Sequence, residues 1–458
     1  MTQSAEPSTD RPRLSVVGTG YLGATHAVCM ASLGYEVVGL DVDERKVEAL
    51  SSGRVPFFEP GLDELLGEQL ASGRLRFTTS FEQVGAAADV HFVCVGTPQK
   101  KGEFAADMTY VDAAFTALLP HVRDGALLVG KSTVPVGTAE RLADQIADQR
   151  GDAVGLAWNP EFLREGFAVK DTLHPDRLVF GVPDGEPGQR AERLLRAAFA
   201  PVISPSAPVG DWHGAPVVVT DFATAQLVKV AANAFLATKI SFINAMAEVC
   251  ETTGGDVKML SQALSYDARI GGRFLHAGLG FGGGCLPKDI RAFMARAGEL
   301  GVDQALSFLK EVDAINMRRR ARMVDLAREE LDGSFGGMRV AVLGAAFKPN
   351  SDDIRDSPAL DVAATIQRQG AAVTVYDPAA MDNAKAVHPE LGYRDSALDA
   401  AKGADLVLHL TEWQEFRDMD PARLGEVVEA RRILDGRNAL DPQRWRAAGW
   451  TYRALGRP

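Results

Sequence analysis

The sequence predicts an α/β protein: two Rossmann-like, doubly wound parallel-sheet domains joined by a long central helix and a small helical domain. Between Leu14 and Asp41 a strand, a glycine turn, a helix and a second strand ending in an acid follow one another. A stretch with neither proline nor glycine then runs from Phe222 to Glu251. A further strand, turn, strand and acid occupy Met338 to Asp377.

The first element is Leu14-Ser15-Val16-Val17-Gly18, a short buried strand. Gly18-Thr19-Gly20-Tyr21-Leu22-Gly23 follows, then a helical stretch from Ala24 to Leu33, then Glu36 to Asp41 as a second strand. A lone glycine fingerprint is weak evidence. In this order, with an acid roughly 20 residues on, it marks a dinucleotide-binding unit. Later strands, Val90–Val95 and Ala126–Val129, run into the polar loops Gly96-Thr97-Pro98 and Lys131 to Thr138. Ligands of open parallel sheets lie outside the carboxyl ends of strands, so those loops belong at the cofactor.

The proline-free stretch is a helix of ~45 Å at 1.5 Å per residue, long enough to be a spine between lobes. Lys229 and Asn233 are four apart and share one face of it. Beyond it runs Gly278-Leu279-Gly280-Phe281-Gly282-Gly283-Gly284-Cys285-Leu286-Pro287-Lys288-Asp289. Glycines let backbone approach a ligand closely. A neighbouring ammonium favours the thiolate, which is the nucleophile. The plainer reading is a tight turn with a buried thiol. The C-terminal part is α/β again, but its turn, Gly344-Ala345-Ala346-Phe347-Lys348-Pro349, lacks the glycine fingerprint. It reads as a nucleotide-type domain for something other than a dinucleotide. The expected organisation is a disordered tail over 1–13, a cofactor domain over 14–210, a helical domain over 211–330 and a second Rossmann-like domain over 331–458.

Composition narrows the function classes. The 458 residues can build two or three domains with real cores. A net charge of −12 argues against a nucleic-acid partner. The 4 cysteines, Cys29, Cys94, Cys250 and Cys285, show neither metal-ligand spacing nor disulfide density. No metal is expected, and a reducing cytoplasm fits. No run is expected to approach a membrane span, and the polar start lacks an apolar signal core.

Taken together, the motifs resemble the nucleotide-sugar 6-dehydrogenase family over nearly the whole chain, from Leu14 to about Leu440. They are the glycine turn, Pro56-Phe57-Phe58-Glu59-Pro60-Gly61-Leu62, Ser132 to Thr138, the Asn159–Gly166 loop, Lys229 with Asn233, the Cys285 loop, and Phe347-Lys348-Pro349 leading to Asp352-Asp353-Ile354-Arg355. The resemblance implies a four-electron oxidation of a primary alcohol at C6 of a sugar, through an aldehyde to a carboxylate, with two NAD⁺ reduced. The His174-Pro175-Asp176-Arg177 run resembles the UDP-glucose branch, which implies UDP-glucose as substrate and UDP-glucuronate as product. The alternative is the 6-dehydrogenase of another nucleotide sugar, a UDP-N-acetylhexosamine or GDP-mannose. Gly284 and Leu286 depart from residues common in relatives without touching the reaction logic.

Roles follow from the same resemblance. Cys285 is the nucleophile, Lys229 stabilises the oxyanion, Asn233 adds a donor beside it, and Asp289 is the acid/base partner. Thr133 and Glu165 hold the catalytic water and line the nicotinamide pocket; Glu161 takes part in thioester hydrolysis. Gly18, Gly20 and Gly23, with Tyr21 and Leu22 between them, make room for the pyrophosphate. Asp41 takes the ribose hydroxyls and favours NAD over NADP. Lys46 lies near that ribose, and Thr97, Ser132, Thr133 and Arg355 are further cofactor contacts. Phe162, Leu163, Glu165, Lys229, Asn233, Phe274, Gly278, Gly282, Lys348 and Arg437 line the sugar-nucleotide site. Arg269 corresponds to an arginine that reaches the neighbouring subunit's substrate, which implies at least a homodimer. Two other classes share parts of this pattern. A two-electron β-hydroxyacid dehydrogenase needs neither Cys285 nor a second nucleotide-type domain. A redox-sensing NAD-binding protein would bind cofactor without turnover.

Overall fold

Apolar runs of about four residues, each ended by a glycine or a polar turn, give short strands buried on both faces. In the computed structural model, which describes residues 11–457, these are β1 (Leu14–Val17), β2 (Val37–Leu40), β3 (Leu75–Thr78), β4 (Val90–Val93), β5 (Leu127–Gly130), β6 (Gly155–Trp158), β7 (Leu178–Gly181) and β8 (Val217–Thr220). They form one sheet in the order β3-β2-β1-β4-β5-β6-β7-β8. Pairing is parallel throughout, with Leu14 opposite both Val37 and Val90, except where β6 meets β7 antiparallel. The first six strands have the doubly wound order of a dinucleotide-binding sheet. Alternate residues feed two cores: Leu14, Val16, Phe92 and Val129 pack into one, and Val17, Leu40, Val93 and Leu128 into the other. At the outer edge β8 follows Pro216 and leaves Val218 and Val219 exposed.

The chain divides into two compact units, one through Ala231 and one from Ala232 onward, so the boundary falls inside the helix Phe222–Thr253. The second unit holds the rest of that helix, the helices Leu286–Glu299 and Phe308–Glu330, and a second sheet. Its strands are β9 (Arg339–Leu343), β10 (Ala372–Tyr376), β11 (Gly392–Tyr393), β12 (Leu406–His409), β13 (Arg432–Asp435) and β14 (Thr451–Ala454). Their order, β11-β10-β9-β12-β13-β14, repeats that of β1 to β6, and every pairing is parallel. The expected fold class is borne out.

Two expectations are corrected. Residues 1–10 of the expected tail lie outside the described residues, but Arg11 and Arg13 belong to the folded unit. Arg11 donates to the Leu33 carbonyl at 2.8 Å, and Arg13 binds Asp89 through its backbone N–H at 2.9 Å. The second concerns membrane spans. The helix Phe222–Thr253 is long and apolar enough to cross a bilayer by length and composition, with mean hydropathy 1.3 over its most apolar window. Its polar groups nonetheless face protein. Ser241 donates to the Val312 carbonyl at 2.7 Å, and Asn244 accepts from Gly278 N–H at 2.9 Å. Its apolar residues Ile243 and Ala247 are fully buried in a protein core.

Candidate active site

The glycine turn at the carboxyl end of β1 is built for an anion. Gly18 has φ +88°, open to glycine at little cost. A β-carbon at Gly23 would collide with the Gly18 carbonyl, so the helix Tyr21–Ser32 can start this close to the strand only with glycine there. That helix has no side-chain cap and no acid in its first turn, which leaves its amides for a phosphate. Asp41, at the end of β2, accepts from Thr19 N–H at 2.9 Å and Asp43 N–H at 3.1 Å, with the Lys46 ammonium at 3.6 Å. The next loops meet beside this turn. Thr97 Oγ1 donates to the Thr133 carbonyl at 2.8 Å, and Ser132 Oγ to the Val95 carbonyl at 2.6 Å. The strand order reverses between β1 and β4, the position where such sheets bind nucleotides. Close-packed glycines, bare amides and a buried acid at the end of the second strand together fit NAD.

The Asn159–Gly166 loop continues from β6 in the same unit. Buried Asn159 is fixed from both sides, accepting from Lys131 Nζ at 2.8 Å and donating to the Val179 carbonyl at 2.9 Å. Burial drives the Lys131 pKa down, so its amine is held in place by this bond rather than by solvent. Glu161 pairs with Lys229 Nζ at 2.9 Å, both side chains largely buried, and also accepts from Leu163 N–H at 2.6 Å. The Phe162 ring takes the Arg177 guanidinium at 3.8 Å and the Lys229 ammonium at 5.7 Å. Glu165 is partly exposed on the same loop.

In the second unit Cys285 stands directly before the helix Leu286–Glu299, where the helix dipole favours an anion. It is exposed, whereas Cys29, Cys94 and Cys250 are buried. Burial pushes the Cys29 and Cys94 thiols up to about 12, so they are poor nucleophiles. One turn into the helix, Asp289 is 2% exposed. It accepts from Asn233 Nδ2 at 2.6 Å and pairs with Lys288 Nζ at 2.6 Å.

The glycines before Cys285 include two at positive φ, Gly280 at +93° and Gly283 at +83°, and several that also approach protein closely. A β-carbon at Gly278 would strike the Gly436 carbonyl, one at Gly280 the Asn316 side chain, and one at Gly282 the Asp356 carbonyl. Close approach to protein leaves no room for a side chain at these three positions. Buried Asn316 grips the loop, donating to the Phe281 carbonyl at 2.9 Å and accepting from its N–H at 2.8 Å. Arg437 closes the same side, donating to the carbonyls of Leu410 at 2.7 Å, Gly280 at 2.9 Å and Phe347 at 3.0 Å. Lys348 lies in the turn after β9, its ammonium 5.4 Å from the Phe347 ring centre. Arg355 pairs with Asp353 at 2.7 Å, its guanidinium where a β-carbon on Gly284 would be. Phe274 has φ +64°, a strained conformation for an aromatic residue. Arg269 is almost fully exposed and paired with Asp267 at 2.6 Å.

Sequence reasoning missed Lys131, Asn244 and Asn316. Lys131 opens the loop after β5 and the other two lie inside helices; all three are buried, and only the long-range partner of each reveals its task.

The chain matches the UDP-glucose/GDP-mannose dehydrogenase family in three successive parts: its NAD binding domain over residues 12–199, its central domain over 223–318 and its UDP binding domain over 341–442. It is 40% identical to a UDP-glucose 6-dehydrogenase of Rhizobium meliloti, covering 97% of this chain and 100% of the relative. Identity to the UDP-glucose 6-dehydrogenase YwqF of Bacillus subtilis is 38%, over 97% of each chain. Among solved structures, a UDP-glucose dehydrogenase from Pyrobaculum islandicum superposes with TM-score 0.88 at 38% identity, covering 99% of this chain and 100% of that one. A UDP-D-ManNAc dehydrogenase from Pyrococcus horikoshii reaches TM-score 0.82 at 28% identity, covering 97% and 99%. With a turn that fits NAD in one unit and an exposed cysteine in the other, the chain belongs to the UDP-glucose/GDP-mannose dehydrogenase family of NAD-dependent nucleotide-sugar oxidoreductases.

Proposed function

We propose that this protein oxidises C6 of UDP-glucose twice, releasing UDP-glucuronate and two NADH. The observation that carries the reading is Cys285, an exposed thiol at a helix start whose first turn holds a buried carboxylate. An alcohol-to-aldehyde oxidation needs no nucleophile. An aldehyde-to-acid oxidation needs a tetrahedral adduct, and a thiolate supplies it.

NAD⁺, when bound, accepts the hydride in each oxidation. Asp289, oriented by Asn233 and Lys288, takes the hydroxyl proton in the first. The Cys285 thiolate then adds to the aldehyde carbon to give a thiohemiacetal. Loss of hydride leaves a thioester, and water cleaves it to the acid with release of the thiol. Lys229 stabilises the oxyanion at C6 in both adducts. Glu161, bonded to Lys229, receives a proton from the attacking water. Thr133 and Glu165 belong at the nicotinamide side, and Lys348 and Arg437 with the diphosphate. Arg437 already gives three bonds to backbone carbonyls, so it holds the Cys285 loop as well as charge.

UDP-glucose is favoured by the His174–Arg177 run, because Arg177 lies on the Phe162 ring within the substrate loop. Homodimerisation is favoured by the helix Phe222–Thr253. Its Phe235, Phe242 and Val249 are exposed at seven-residue spacing, the repeat of a helix seam. The test is a panel of UDP- and GDP-sugars with limiting substrate. Two NADH per UDP-glucose, with UDP-glucuronate as product, is expected. One NADH per sugar with free aldehyde overturns the mechanism, and turnover of another sugar alone overturns the substrate.

A further inference from the structure

The Pro56–Leu62 run has no part in this chemistry. Its Glu59 is 4% exposed and lies between the helices Glu44–Ser51 and Leu62–Ala71. Both carboxylate oxygens are engaged. Oε1 accepts from Ala168 N–H at 2.7 Å and Val169 N–H at 3.3 Å, at the start of the helix Ala168–Leu173. Oε2 accepts from Gly166 N–H at 2.7 Å and from the Tyr21 hydroxyl. Gly166 N–H also reaches the Tyr21 hydroxyl oxygen at 2.9 Å, and the Tyr21 ring packs on Phe57 with centroids 4.8 Å apart. Burial, then the Glu59 carboxylate, holds the Tyr21 hydroxyl well above its ordinary pKa, so it stays a donor.

The two ends of this network matter. Tyr21 is the first residue of the helix whose amides would meet the pyrophosphate. Gly166, with φ +76°, closes the loop that carries Glu161, Phe162, Leu163 and Glu165. Oε1 alone would suffice to cap the short helix. The Oε2 bonds do something else: they tie the cofactor turn to the end of the substrate loop through a buried, charge-assisted network, which is rigid.

We propose that Tyr21 and Glu59 are positioning residues that couple dinucleotide binding to the ordering of the Asn159–Gly166 loop, so that occupied cofactor raises affinity for the sugar nucleotide. This rests on the reading that the loop binds the sugar. The coupling is reciprocal and belongs in the usual range of roughly 5- to 150-fold.

The experiment measures sugar-nucleotide affinity by calorimetry with and without saturating NADH, which cannot oxidise the sugar. The sugar nucleotide is whichever one the unmodified protein turns over, so failure of the UDP-glucose reading shows separately as silence with that sugar. In the unmodified protein NADH should tighten binding by at least about fivefold. Glu59→Gln keeps the side chain's size, lies outside the cofactor turn and should cut the factor below about twofold, while NADH affinity measured alone moves less than about threefold. Tyr21→Phe keeps the ring on Phe57 and should lower the coupling as far, and the double variant should be no worse than Glu59→Gln. Three results overturn the proposal: equal sugar affinity with and without NADH in the unmodified protein, undiminished coupling in Glu59→Gln, or loss of NADH affinity in Glu59→Gln in parallel with the coupling.

Discussion

The acids that end β2 and β10 hold the same place in the same strand order, and they serve opposite ends. Asp41 accepts from the N–H and hydroxyl of Thr19 in the glycine turn and from Asp43 N–H, has Lys46 nearby, and keeps acceptor capacity on the oxygen that takes only Asp43. Asp377 is filled. One oxygen accepts from Ala345 N–H at 2.7 Å, Ala346 N–H at 3.0 Å and Trp413 Nε1 at 3.0 Å; the other accepts from Ala379 and Ala380 N–H at 2.9 Å each. A carboxylate offers about four lone-pair sites, so nothing is left for a ligand. The helices differ likewise. Tyr21–Ser32 begins bare at the glycine turn, whereas Pro358–Arg368 begins later and is capped by Ser357. A strand, a turn and an acid therefore predict the fold in both units, and the dinucleotide only where the acid keeps acceptor capacity and the helix start has no side-chain cap.

The strongest challenge to this division of labour is Cys285→Ala. It should lower formation of the acid by on the order of 10³-fold or more while leaving NADH binding by the first unit intact. Single-turnover NADH and product analysis check it, and near-normal acid formation removes the central claim. Next, Asp377→Ala strands several buried N–H groups and should cost about 3 kcal/mol or more in denaturant unfolding, with no change in cofactor preference. A change in preference would mean the second turn binds dinucleotide after all.

Acid should separate the units as well. Burial holds His26 well below its ordinary value and His91 down at about 4. Both are neutral in the fold and protonate on unfolding. Their stabilisation is complete above pH 6.5 and drains as pH falls toward 4, by about 3 kcal/mol for His91. In the second unit, burial raises the Asp435 pKa, but His409 and two backbone amides outweigh it and leave it lowered. Its contribution is full above the ordinary carboxylate value and is lost only below it. Hydrogen exchange, corrected for intrinsic rate, should therefore open β1 and β4 between pH 6.5 and 4 before β12 and β13; simultaneous opening would contradict this. The smallest effect is Asp41→Ala, which should narrow the NAD⁺ over NADP⁺ preference in kcat/KM by about tenfold, or ~1.4 kcal/mol. Equal use of both cofactors by the unmodified protein would contradict the reading of Asp41.

Much of this was legible in the sequence because it is local. Strand, glycine turn and acid lie within a few tens of residues, and the spine helix Phe222–Thr253 follows from an uninterrupted run. The short strands β11 and β14 and the antiparallel meeting of β6 and β7 were not legible, since pairing depends on distant segments. The Cys285 loop was legible as a glycine-dense turn before a helix, but the protein surfaces its glycines pack against were not. Gly278 and Gly280 answer to Gly436 and Asn316, residues far along the chain. Glu59 was visible as part of a motif, yet its task appears only once Tyr21 and Gly166 stand beside it.

The outer strand β8 has a consequence for handling the protein. Among the described residues its outer side pairs with no further strand, and Val218 and Val219 are exposed on it, the kind of edge on which chains polymerise. Two features blunt it. The strand is 4 residues long, and Pro216 before it can donate no hydrogen bond. Lengthening this edge, or replacing Pro216 with a β-branched residue, would remove one of these safeguards and favour edge-to-edge association.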